Sequence, residues 1–312
     1  MWRPSLPPTH DLLPPSVLSA AASEKEKTMI VDVHTHNHQP EHWGDEHKKN
    51  WEPAYGEPYP RISPAMYDAA MTKAGVDVAI VFGLAATRAG VHTPNRFVAD
   101  YCAQLSTPTV AFTALDPLDT DWRDQLDEAY ELGFKGVKLY PVLSLFDPLD
   151  PSFDEFYRLC SERRMTILWH MGATPSAQGR LSLSQPLVVE EVARRHPDLK
   201  QIMAHMGHPW QRDAVVVLRK HANVFADVSA SWHRPMDGFM ALVNAQEWGV
   251  VNKLFFGSDY PLWEPADAIA RFRSLADFRA GNLPHVLEET VESILHQDAL
   301  SLLEIPDPRL AK

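Results

Sequence analysis

The run "IVDVHTHNHQ" (30–39) places Asp32, His34, His36 and His38 at every second position. In a β-strand, residues two apart point the same way and stand about 6.6 Å from each other. Two imidazoles at that spacing can lean onto one ion, because Zn–N bonds are about 2.0–2.1 Å long. His34 and His36 therefore read as half of a metal site. His170 and Asp259, each ending a later strand-like run, can complete it. Three imidazoles and one carboxylate suit a single divalent ion, Zn2+ first, with Mn2+, Fe2+ or Co2+ as alternatives. Asp32 is expected one layer deeper on the same face, accepting a ring N–H from a ligand histidine. A lone histidine at a strand end is usually a structural residue. Several strand ends finishing in His or Asp, beside an HxH pair, are not explained that way. His38 and His208 read as pocket wall, and His92, His196, His221, His285 and His296 as surface or helix residues.

These side chains need a scaffold that brings strand ends together. From Met29 onward a short β-rich run alternates with a helix-like segment eight times. The strands are predicted at 29–34, 76–83, 109–115, 136–141, 165–170, 200–205, 223–229 and 253–259. Several helical stretches open with Asp, Ser or Pro, as helix N-termini do. Apolar strands alternating with helices imply a parallel sheet covered on both faces. Eight such units predict a (β/α)8 TIM barrel, whose active site lies at the C-terminal ends of the strands. A doubly wound open sheet is the rival, and would more often carry a Gly-rich turn after its first strand. Here histidines take that place. The irregular stretch 37–64 carries Trp43, Trp51, Tyr55 and Tyr59, and is expected as a lid over the barrel mouth. A helical tail, "ALSLLEI", is expected to cover the barrel or join a dimer.

Length and composition agree. A chain of 312 residues with 45% apolar content suits one large α/β barrel. A formal charge of −12 argues against nucleic acid as a partner. Cys102 and Cys160 read as reduced core thiols, which suits a cytoplasmic location. No apolar run approaches the about 20 residues needed to span a bilayer. Residues 1–28 are rich in Pro, Ser and charge and lack the apolar core of a signal peptide. They are expected to be a flexible extension preceding one metal-dependent barrel domain, 29–312.

"DVHTH", "GFKGVKLYP", "ILWHMG", "AHMGHP" and "FFGSDYPL", in this order, resemble the amidohydrolase superfamily. More narrowly they resemble its amidohydrolase-related branch, which includes aminocarboxymuconate-semialdehyde decarboxylase. The resemblance covers roughly residues 29 to 303. It implies a metal held by His34, His36, His170 and Asp259, with His205 nearby as an acid–base or polarising group. In other branches a carboxylated lysine on the fourth strand bridges two metals. Here Lys138 is expected instead to hold a substrate carboxylate as an ammonium. The decarboxylase relatives do not in general show this lysine.

The expected function is metal-dependent hydrolysis of a small ester, lactone or amide that carries a carboxylate. Asp259 and His205 are the expected catalytic residues. The carboxylate would meet Lys138 or an arginine such as Arg61, Arg180 or Arg234. Tyr140, Trp169, His208, Trp210, Ser229 and Tyr260, with Trp232 and Trp263, are the expected pocket residues for a flat or cyclic small molecule. Non-oxidative decarboxylation of an aromatic or unsaturated acid is the alternative. A metal-dependent oxygenase subunit and a silent metal-binding subunit are further alternatives. A homodimer or a paired related subunit is compatible with the sequence.

Overall fold

Val31–His36 (β1), Val78–Phe82 (β2), Thr109–Ala114 (β3), Gly136–Leu139 (β4), Thr166–Trp169 (β5), Gln201–Met203 (β6), Val224–Asp227 (β7) and Leu254–Phe255 (β8) form one parallel sheet in sequence order. The sheet closes on itself. Val33 N donates to Phe256 O at 3.0 Å, and Asp259 N to His34 O at 2.8 Å, across the β1–β8 seam. This computed structural model, a TIM barrel, describes residues 29–56, 59–279 and 281–310. The expected extension, 1–28, lies outside the described residues.

Alternation along the strands sorts the core into two layers. Val31, Val78, Ile80, Phe82, Phe112, Leu168, Ile202, Phe225 and Phe255 fill the barrel. Ala79, Val81, Val137, Ile167, Trp169 and Val224 face outward and pack with the surrounding helices. The tail helix Ala299–Leu303 does not project. Ala299, Leu300, Leu303 and Ile305 join the inner layer and close the end of the barrel where the strands begin.

The stretch after β1 is more ordered than its composition suggests. It holds a helix, Asp45–Tyr55 (α1), which ends on Gly56 in the left-handed conformation at φ +83°. Its sequence, DEHKKNWEPAY, has little apolar periodicity and contains Pro53, so the usual helical signal is missing. Tertiary packing supplies the order instead. Trp43 and Tyr59 each pack on His38, with ring centroids at 5.1 and 4.5 Å, and on each other at 4.5 Å. These rings pack with Leu84, Tyr140 and Leu143, pinning the lid to the barrel mouth. Among the described residues, no helix is long and apolar enough to cross a membrane.

Candidate metal centre

The register of β1 decides which of its polar residues enter the barrel. Val31 pairs with Val78 and Asp32 with Ala79, whereas Thr35 pairs with Val81 and His36 with Phe82. From Asp32 to Thr35 the strand takes three steps where β2 takes two. One extra residue in β1 is a bulge, and it breaks the two-residue rhythm. Asp32 therefore shares the outward face of Ala79, Val81 and Thr35, and Thr35 Oγ1 meets the Tyr67 hydroxyl of the outer layer at 2.6 Å. Beyond the bulge His34 and His36 turn inward. Asp32 is thus not the partner of a histidine ring, as the rhythm suggested. It accepts the backbone N–H of His34 (3.2 Å) and of Ser258 (2.9 Å), strapping the bulge to the chain after β8. Burial raises its carboxyl to about 7.

The His34 ring belongs to another carboxylate. Its Nδ1 donates to Asp227 Oδ2 at 2.9 Å, which leaves Nε2 unprotonated and facing inward, where Lys138 Nζ approaches it at 3.4 Å. His34 Nε2 and His36 Nε2 lie 3.4 and 3.2 Å from the same oxygen, Asp259 Oδ1. A tetrahedral ion with bonds of about 2.1 Å needs donors about 3.4 Å apart, so both of these nitrogen–oxygen distances fit its corner spacing. Burial also keeps both imidazoles neutral. It lowers His34 to about 3, assisted by Lys138, and lowers His36 as well. Burial alone would raise Asp259. The surrounding His34, His36 and His205 outweigh it and hold its carboxyl below the usual range.

Close backbone approach makes this corner possible. A Cβ on Gly257 would stand 2.7 Å from His34 Cβ, so only glycine lets the chain after β8 pass behind that ring. Asp259 follows at φ +61°, and His205 and Met206 at +56° and +48°. Left-handed backbone at non-glycine residues costs about 1–3 kcal/mol each and gathers at functional sites. Here it is held by Asp259 N to His34 O and by His205 N to Asp227 Oδ1, 3.1 Å.

A cavity of ≈ 350 Å³ opens above the donors. His208, Thr174, Arg234, Asp237, Trp263 and Trp51 line it. Beneath it, ≈ 70 Å³ of space lies directly against His34, His36, His38 and Tyr59. Tyr140, His170, His205 and Asp259 line both spaces, which makes them one continuous site.

The expected residues are not all brought together. His34, His36 and Asp259 have donor atoms within 4.8 Å of one another, and His170 lies outside that group. The His170 ring packs on Tyr140 at 4.2 Å, and its Nε2 donates to Ala173 O at 3.1 Å, leaving Nδ1 free. Tyr140 and His208 do line the cavity. Trp169 does not. Its strand position faces outward, it is fully buried, and its Nε1 donates to Gln201 Oε1 at 3.0 Å. Tyr260 pairs with Thr35, shares its outward face and packs edge-on to Tyr67 at 5.5 Å. Trp210 precedes the helix Gln211–Lys220 and lines neither space. Lys138 is also absent from both linings. Its Nζ is buried under the donors, 3.4 Å from His34 Nε2 and over the Phe82 ring. The cation that faces the cavity is Arg234. Arg61 is paired with Glu41 on the surface. Ser229 borders the cavity, yet its hydroxyl turns back to Asp227 and to His205 Nδ1 at 2.8 Å. The role missed in the sequence is that of Asp227. Its signal was the D-x-S spacing at the end of β7, which sets both side chains on the inner face.

Comparison with known proteins bears on the fold and the family of this chain. The amidohydrolase family model matches residues 31–305. No curated protein matches. An uncharacterised TIM-barrel protein from Bordetella bronchiseptica aligns at a TM-score of 0.66 and 17% identity, over 88% of this chain and 98% of that one. The 5-carboxyvanillate decarboxylase of Novosphingobium aromaticivorans, complexed with manganese, aligns at 0.61 and 16%, over 90% and 97%. A putative 2-pyrone-4,6-dicarboxylic acid hydrolase from Pseudomonas putida aligns at 0.61 and 15%, over 89% and 98%. At these identities the likeness is one of fold. With the family model spanning nearly the whole barrel, the chain belongs to the amidohydrolase family.

Proposed function

We propose that this chain is a metal-dependent enzyme that hydrolyses a small ester, lactone or amide carrying a carboxylate. The observation that carries the reading is the convergence of His34 Nε2 and His36 Nε2 on Asp259 Oδ1 at the floor of the cavity. A single divalent ion fits there, Zn2+ by its donor set or Mn2+ by analogy with the manganese-bound relative. When bound, it supplies Lewis acidity and an acidified water. His170, through Nδ1, is the proposed fourth donor. Asp259, ionised and lining the cavity, takes a proton from water. His205 sits beside it on the same floor. Arg234 reaches the cavity from its rim and offers a guanidinium to the substrate carboxylate. Tyr140 and Trp263 supply flat walls. Lys138 remains an uncarboxylated amine behind the donors.

Decarboxylation of an aromatic or unsaturated acid is the second reading, favoured by the full-length likeness to 5-carboxyvanillate decarboxylase. Reaction in ¹⁸O-water separates the two. Label in a product carboxylate, without CO2 release, is the expected result. Stoichiometric CO2 with no label in the product would establish the second reading.

A further inference from the structure

Asp227, Ser229 and His205 form a hydrogen-bonded chain whose direction can be worked out atom by atom. Asp227 Oδ1 accepts the backbone N–H of His205 at 3.1 Å and of Ser229 at 3.0 Å. Its Oδ2 accepts the His34 ring N–H at 2.9 Å. The carboxylate is surrounded by donors and acts only as an acceptor. The Ser229 hydroxyl, in short contact with Oδ1, must therefore donate its one hydrogen to Asp227. That leaves Ser229 Oγ with lone pairs alone for its other neighbours. His205 Nδ1 lies 2.8 Å from Oγ and 3.4 Å from the Ser229 carbonyl oxygen. Both are acceptors, so Nδ1 carries the proton. In the neutral ring Nε2 is then bare.

We infer that Ser229 is a positioning residue, which relays the acceptor character of Asp227 to His205 and fixes the tautomer whose unprotonated Nε2 faces the cavity. His205 borders both parts of the cavity, and no described residue occupies Nε2. Neutral His205 can thus accept a hydrogen bond from a water or a substrate hydroxyl. It cannot donate one to the scissile carbonyl. The chemical role assigned to Nε2 rests on the proposed hydrolytic reading, whereas the tautomer rests on geometry alone. His34, His205 and Asp227 also bring donor atoms within 4.8 Å of one another. The Ser229 hydroxyl lies among those atoms and uses their bonds, which makes this cluster a relay rather than a second ion site.

His34 Nδ1 also stands 3.3 Å from Ser229 Oγ, but its shorter bond, at 2.9 Å, is to Asp227. His34 bonds the carboxylate directly, while His205 reaches it through the hydroxyl. Ser229→Ala should leave the first intact and cut the second.

The test is ¹⁵N NMR of the ring nitrogens in protein loaded with one equivalent of Zn2+, at a pH where His205 is neutral. The wild type should show a pyrrole-type Nδ1 and a pyridine-type Nε2 at His205. Ser229→Ala should mix or invert this pattern with unchanged zinc content, and turnover should fall about 10- to 100-fold. Ser229→Thr, which keeps the hydroxyl, should restore both. A protonated Nε2 in the wild type, or a Ser229→Ala spectrum with the wild-type tautomer, would overturn the inference. Absence of hydrolytic turnover would count against the proposed function and leave the ring signature to be judged by itself.

Discussion

The two ends of the barrel interior are built from the same eight strands and have opposite contents. At the end where the strands begin, Val31, Val78 and Val110 meet Ala299, Leu300 and Leu303 of the tail helix, and the Lys200 and Lys253 ammoniums cover only the Phe225 ring of this layer. At the other end His34, His36, His205, Asp227, Ser229 and Asp259 meet in an interlocked set of hydrogen bonds. The first end gains stability from every methyl group removed from water. The second places backbone in left-handed conformations and buries carboxylates, both of which cost stability. Strand ends and not strand bodies carry the chemistry, so one end can be costly while the other compensates.

This contrast predicts that substitutions at the two ends fail in different ways. The largest effect is expected at the polar end. His205→Ala should retain metal and the folded state but lose turnover by about 10²- to 10⁴-fold, as removal of a proton-transfer group does. Metal analysis beside a rate measurement decides it, and a metal-free variant would make His205 a ligand.

At the apolar end, Leu303→Ala should cost about 2–5 kcal/mol of unfolding free energy. Metal content and turnover of the folded fraction should stay at wild-type levels. Denaturant unfolding with parallel activity checks this, and normal stability with weakened metal binding would erase the division between the ends.

Lys138 sits where the two halves meet, fully buried. Burial lowers its amine from 10.5 to about 8, against the opposing pull of Asp227 and Asp259. The folded state then holds the proton less tightly than the unfolded chain. Stability should rise with pH between about 8 and 10.5, and below that window the charged amine costs about 3 kcal/mol. In chelator-treated protein, Lys138→Met should therefore be more stable than wild type at pH 7, with the gain fading towards pH 10.5. A destabilised variant at pH 7 would show that the amine is a net structural contributor.

The smallest effect sharpens the definition of the polar end. His170→Ala should weaken metal binding by at least about 10- to 100-fold, the cost typical of even an indirect partner of the ion. Titration with a competing chelator measures it. Unchanged affinity would leave His34, His36 and Asp259 as the full protein donor set.

Most of the barrel was legible because its strands are short apolar runs between helices, several of which open on proline, and that pattern survives in one dimension. The meeting of His34, His36 and Asp259 was legible for the same reason, since strand ends meet in a barrel. Residues whose direction depends on a local break in regularity were not. The bulge sends Asp32 outward, and Tyr260 shares that face through its pairing with Thr35. Trp169 looked like a pocket residue because it adjoins His170, but adjacent strand residues point to opposite faces. The helix α1 was hidden because it is held by its His47 and Trp51 packing on Trp43 and Tyr59 and not by its own pattern.

The extra residue in β1 also bears on any attempt to transplant this centre. Copying His34-x-His36 onto a regular strand would reproduce the pitch of the two imidazoles but not their surroundings. An aspartate two residues upstream would then fall on the histidine face and add a competing carboxylate beneath the ion. In this chain the bulge removes that competitor and converts it into a backbone clasp. The smallest portable unit is therefore the whole stretch from Asp32 to His36, together with the Ser258 amide that it grips and the distant carboxylate of Asp227.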